Sequence, residues 1–126
     1  MGYAELEEFE AMEKYLLYEH AAILDEHSCS VLLLKMLDME MEGYRAEMLH
    51  VVRQYLVLRN ILDLGKEARR TEEYRPFVQL FFKTVRTDAT KMEALQRETQ
   101  LFAQNIIKRA IDKKKEQEQE AAMQQQ

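Results

Sequence analysis

The chain has 126 residues and a mass of 15.0 kDa, enough for one domain with a modest core and too little for a large multidomain enzyme. One Pro and three Gly supply too few tight turns for a sandwich, a barrel or a βαβ fold, so the composition points to helices. A net charge of −5 repels phosphate backbones and anionic lipid, which argues against nucleic acid and membrane surfaces as partners.

A first helix is expected over residues 3–18, where Leu6, Phe9, Met12 and Leu16 recur every three or four positions and share one face. Asp25 caps a second helix that runs to about Glu42, with Gly43 placed to end it. Val31, Leu32, Leu33 and Leu34 are consecutive there, so every face is apolar and the helix is predicted to be central and buried. The third helix, over residues 45–64, carries the most regular stripe of the chain, Met48, Val51, Tyr55, Leu58 and Leu62, and Gly65 is expected to stop it. After a polar connection, Pro76 suits the first turn of a fourth helix, where its missing N–H would be unpaired anyway, and Phe77, Phe81, Phe82 and Val85 form the core face. Thr87 or Asp88 caps a fifth, long helix whose stripe, Met92, Leu95, Thr99, Phe102 and Ile106, continues past Ala110.

From Asp112 the apolar stripe is lost while strong helix formers remain. This predicts a helical domain over residues 1–111 and a solvated helical extension or frayed tail over residues 112–126, as in a cut through a longer helix. The expected fold is all-α, a compact bundle of about five to six helices with a long C-terminal helix extending from it.

Charge is unevenly divided: residues 1–50 hold 12 acidic and 3 basic groups, net −9, and residues 51–126 hold 11 and 15, net +4. Such halves either pack beside each other or steer a partner. A lone cysteine, Cys29, forms no intramolecular disulfide, no apolar run approaches the roughly 18 residues that span a bilayer, and the acidic start does not resemble a signal peptide. A soluble protein of the cytoplasm is expected.

Few residues suggest chemistry. Glu47 and His50 form one Glu-x-x-His pair, the spacing that aims a carboxylate and an imidazole at a di-iron centre, but the second pair is missing because Leu17 and Leu24 precede His20 and His27. Cys29 lies two positions from His27, and residues so spaced on a helix point apart, which suits a small buried thiol better than a nucleophile. Gly2, Gly43 and Gly65 are too far apart to cradle a phosphate. The basic and aromatic stretch over residues 66–91 could read single strands, yet its phenylalanines fall at core spacing. No enzyme activity, metal or cofactor is expected, and binding is the default role. Met39, Met41 and Met48 flank the turn at Gly43 and, with Tyr44, are candidates for an adaptable protein-binding surface, although the methionines in part also read as core filler. His50 would add pH sensitivity there, since imidazole ordinarily changes charge between about pH 5 and 8.

The stretch DMEMEGYRAEMLHVVRQYLVLRNILDLGK, residues 38–66, resembles the central segment of the cell-division-cycle 37 family, kinase-specific co-chaperones of the ninety-kilodalton heat-shock chaperone. The EKYL of residues 13–16 and the QLFFKTVRTDATKME of residues 79–93 resemble the flanking parts of that domain, in matching order. The resemblance implies a helical, monomeric domain that docks on the chaperone while other parts of the co-chaperone hold protein-kinase clients. It also implies that a kinase-handling coiled segment precedes this span and a small helical domain follows it. Ala46, Glu47 and His50 align with the family's chaperone contact at a helix start, and Glu5 and Glu8 with its N-terminal turn.

Family members typically carry an apolar residue at position 47, Gln at 50, Met at 5 and Arg at 8. The resemblance implies that the basic residue at position 8 helps arrest the chaperone's ATPase by donating to a catalytic carboxylate. An ionised Glu8 cannot donate and would repel that group. The expectation is therefore docking outside the nucleotide pocket, the middle domain being one candidate, weak inhibition of ATP hydrolysis, and stronger inhibition on Glu8→Arg. The other reading is a helical scaffold module that binds another protein through the Met-bearing turn near Gly43.

Overall fold

A computed structural model describes the backbone of residues 3–19, 25–70 and 73–124, and the side chains of residues 8–17, 25–70 and 73–124. Helix α1, Tyr3–Lys14, runs into a π-helical turn, Tyr15–Glu19, and is followed by α2, Glu26–Met41, α3, Arg45–Glu67, α4, Arg75–Thr87, and α5, Ala89–Gln124. No strand occurs among the described residues, and the five helices form a compact bundle from which the end of α5 extends.

Local chemistry sets most boundaries. Asp25 has an extended backbone and its carboxylate accepts the Ser28 N–H at 2.7 Å, satisfying one of the donors left free at the start of α2. That amide holds the Asp25 carboxyl below the usual carboxylate range. At the far end Gly43 sits at φ +88, the Tyr44 N–H bonds the Met39 carbonyl at 2.8 Å and the Gly43 N–H the Glu40 carbonyl at 3.1 Å. This is a Schellman cap in which glycine takes the left-handed position. The chain then reverses, and α2 packs along α3. Pro76 stands in the first turn of α4, and Asp88 accepts the Thr90 N–H at 3.0 Å at the start of α5.

Gly65 does not stop α3. It is a buried helical residue, and α3 ends two residues later in a second Schellman cap. There Arg69 occupies the left-handed position at φ +57, with the Arg70 N–H bonded to the Gly65 carbonyl at 2.9 Å and the Arg69 N–H to the Lys66 carbonyl at 3.0 Å. The glycine is needed for space: a Cβ there would lie 2.5 Å from Cε1 of Tyr74 and 3.1 Å from the Arg70 carbonyl oxygen.

The centre of the bundle is α3, which contacts α2, α4 and α5 and buries Met48, Val51, Val52, Leu56, Val57, Leu58, Ile61 and Leu62. Phe77, Val78, Phe81, Phe82 and Val85 of α4 and Met92, Leu95, Thr99, Ala103 and Ile106 of α5 complete the core. The buried Thr99 hydroxyl is satisfied by donating to the Leu95 carbonyl at 2.8 Å. Helix α1 contributes Phe9, whose ring meets Phe82 edge-on at 6.4 Å, and the π turn contributes Leu16 and Leu17. Leu6 and Tyr18 lie outside the described side chains.

The expectation that α2 is central is overturned. Only Cys29 and Met36 of this helix are buried, while Val31 is 48% and Leu34 67% exposed. A helix on the flank buries only the face turned to its neighbours, α3 and α5 here, so a four-residue apolar run must leave members in water. Residues 111–124 of α5 are exposed throughout.

Candidate functional site

Of the residues singled out in the sequence, Glu8, Met39, Ala46, Glu47 and His50 lie on the face formed by α1, α2 and α3. Glu8, the first described side chain of α1, points inward and is only 14% exposed. Its Oε2 accepts from Arg53 Nη1 at 2.5 Å, and its Oε1 lies 2.7 Å from His50 Nδ1. Oε1 is inaccessible to water and lacks an aligned hydrogen bond, so it meets the imidazole by proximity alone. The other ring nitrogen of His50, Nε2, stands 3.1 Å from Gln54 Nε2. His50, Arg53 and Gln54 fall three and four residues apart on α3 and so share one face.

Two hollows flank this cluster. The larger, about 660 Å³, has an apolar floor of Met12, Leu16, Leu32, Val57 and Leu58 and a polar end at Glu8, His50 and Gln54. Ala11 and Tyr15 stand along its α1 side. The smaller, about 370 Å³, is lined by Lys35 and Met39 of α2 and by Ala46, Glu47, His50, Val51 and Gln54 of α3. His50 and Gln54 line both and form the ridge between them.

Ala46 and Glu47 are exposed in the first turn of α3, and His50 is 51% exposed one turn later. Met39 is half-buried beneath the smaller hollow. Met41 is half-buried but lines neither hollow, and Met48 is wholly core. Tyr44 is 53% exposed beside them. The Glu5 side chain, like those of His20 and Leu24, lies outside the described residues. Sequence reasoning missed Arg53, Gln54, Lys35 and Leu32. The positions of Arg53 and Gln54, three and four after His50, were the signal that could have found the first two.

The Glu8 carboxylate is turned into the domain, toward Arg53 and His50.

The geometry offers docking and little chemistry. Glu47 is exposed and the Glu-x-x-His pair is divided, since His50 turns to Glu8. Among the described residues no group of three His, Cys, Asp or Glu is placed to hold a metal ion, and no helix is long and apolar enough to cross a membrane. Cys29 is buried while His27 is exposed, and burial pushes the thiol pKa up, away from the reactive thiolate.

The described residues thus form a helical bundle with two adjoining hollows, one apolar-floored, and a mixed polar ridge between them. The chain belongs to the Cdc37 family: the family model of the Cdc37 Hsp90 binding domain matches residues 2–119. It is thus a member of a family of Hsp90-binding co-chaperone domains. No curated protein matches the chain in sequence.

Proposed function

We propose that the chain docks on Hsp90 through the face shared by α1, α2 and the start of α3, and that it does so as a non-enzymatic, monomeric, cytoplasmic co-chaperone domain that helps deliver protein-kinase clients. The observation that carries this reading is the convergence of Glu8, Met39, Ala46, Glu47 and His50, drawn from separated stretches of sequence, around two adjoining hollows. Exposed Ala46 and Glu47 leave the α3 start open to close approach, Met39 gives the hollow an adaptable apolar lining, and the His50–Gln54 ridge supplies polar partners at its edge. Kinase clients are held by other segments of the co-chaperone, and this domain supplies the link to Hsp90.

With the Glu8 carboxylate held inward by Arg53, that side chain is not offered to the nucleotide pocket of Hsp90. Docking outside that pocket and weak inhibition of ATP hydrolysis follow. The test is an NMR titration of the labelled domain with the separate nucleotide-binding and middle domains of Hsp90. Shifts centred on Ala46, Glu47 and His50 with one of them, lost in Ala46→Arg, are expected. Shifts confined to α4 and α5, or none with either domain, would refute the reading, and complete ATPase arrest would refute docking outside the pocket.

A further inference from the structure

Glu8 occupies what is built as a carboxylate site. Arg53 and His50, one turn apart on α3, converge on its two oxygens at 2.5 and 2.7 Å, although Glu8 arrives from a helix more than forty residues earlier in the chain. Gln54 of α3 and Tyr15 of the π turn line the larger hollow with Glu8, and Lys35 of α2 and Glu47 of α3 line the smaller one on the other side of His50; Arg53 donates to Glu8, and the His50 ring lies against its second oxygen. Arg53 is mostly sheltered, which strengthens its hold on an oxyanion, while His50 is half in water and forms the lip. The fit of the resident group is incomplete, because Oε1 has no aligned hydrogen bond. The larger hollow opens directly beside it.

We propose that Arg53 and His50 form a binding site for a carboxylate side chain of the docking partner, and that Glu8 fills it in the free domain as an internal competitor. An Asp or Glu on the partner surface displaces Glu8 from Arg53 and His50, α1 shifts away at that end, and the incoming segment lies along the hollow floored by Met12, Leu32 and Leu58. Glu8 already occupies Arg53 Nη1 and lies against His50 Nδ1, and a second ionised carboxylate there is repelled by the first, so exchange is favoured over joint binding. Affinity is then lowered by whatever Glu8 contributes to the free state, since a ligand must displace the resident group before its own contacts count. The proposal rests on the Hsp90 reading for its natural partner, but not for the site itself.

Two arms separate these dependencies. In the first, sodium acetate is titrated into the domain while the His50 ring and Arg53 guanidinium signals are followed by NMR. Saturable shifts of both are expected in Glu8→Ala and in the near-isosteric Glu8→Gln, with little change in the unaltered domain, and circular dichroism checks that both variants keep their helices. No saturable shift in either folded variant overturns the site, whatever Hsp90 does. In the second, Hsp90 affinity is measured: Glu8→Gln should tighten it by about fivefold, in line with a partly sheltered ion pair, and adding Arg53→Gln should cancel the gain. Unchanged or weaker binding by folded Glu8→Gln, or a gain that survives loss of Arg53, overturns the competition. Failure of Hsp90 to bind any variant, with acetate shifts intact, refutes the proposed partner alone.

Discussion

Gly65 shows how one residue acts by what it lacks. Glycine within a helix ordinarily weakens it, and alanine there would gain about 1 kcal/mol of propensity. Here a Cβ would lie 2.5 Å from a carbon of the Tyr74 ring and 3.1 Å from a backbone carbonyl, and while the ring can turn aside, the carbonyl belongs to the cap that ends α3. Gly65→Ala is therefore expected to be destabilising by about 1 kcal/mol net, seen as a lowered midpoint in urea denaturation; a stabilised variant would show that the Tyr74 ring yields freely. The same scale governs Glu8, whose carboxylate is paired within the domain because Arg53 and His50 lie within reach on the neighbouring helix. Nothing in the residues around position 8 announces a partner more than forty positions away.

At the scale of the element, the two ends of the α2–α3 hairpin use the same capping pattern with different residues. Gly43 takes the left-handed position without strain, whereas Arg69 takes it with a Cβ crowding the following carbonyl. Arg69→Gly should accordingly raise stability by about 1 kcal/mol, read from the thermal midpoint, with the helix content unchanged. The N-terminal end of α2 is fixed by charge. Glu26 pairs with Lys66 and with Arg59, 2.6 Å away, and these two donors hold its carboxyl below the usual carboxylate range, as the Ser28 amide does for Asp25. A carboxyl whose pKa is depressed by folding contributes stability that is present above its unfolded pKa and lost as pH falls through the folded one. The thermal midpoint should thus stay level from neutral pH down to about pH 5 and decline below about pH 4, and the decline should shrink in Glu26→Gln. A profile that does not change on that substitution would place the acid sensitivity elsewhere. Added salt should weaken the pairs of Glu26 more than the cap of Asp25, because long-range charge attraction is screened and a short hydrogen bond is less so.

Across the whole molecule, the aromatic contacts tie α1 to α4. Phe82 is almost fully buried, meets Phe81 edge-on at 5.2 Å within α4, and receives Phe9 of α1 at 6.4 Å. Removing it would leave a void between α1 and the rest of the bundle, so Phe82→Ala should cost about 3 to 5 kcal/mol in chemical denaturation and expose α1 to hydrogen exchange before other helices. A loss below 1 kcal/mol would mean that the core collapses around the gap. Glu13 and Arg86, 3.0 Å apart, link the same two helices at the surface, where an ion pair adds little. The proposed docking face therefore depends on α4 at one remove, because α4 holds the helix that carries Glu8.

By itself the sequence determined the elements and the family. Periodic apolar stripes, Asp25, Gly43 and Pro76 act within a few residues of their own position, so the starts of α2 and α4, the turn after α2 and the phenylalanine face of α4 follow from local rules. The ordered segments shared with the Cdc37 family could be read in the same way, and residues 2–119 match that family. Tertiary structure alone decided what each stripe would face. Residues 31–34 are equally apolar all round, and only the placement of α2 on the flank leaves Val31 and Leu34 in water. Gly65 carries no local mark that separates a helix stop from a seat for an aromatic ring, and the arrival of Tyr74 settles it. The carboxylate of Glu8, the guanidinium of Arg53 and the imidazole of His50 meet only because α1 folds back onto α3, and attraction at these distances depends on a packing that no local pattern encodes.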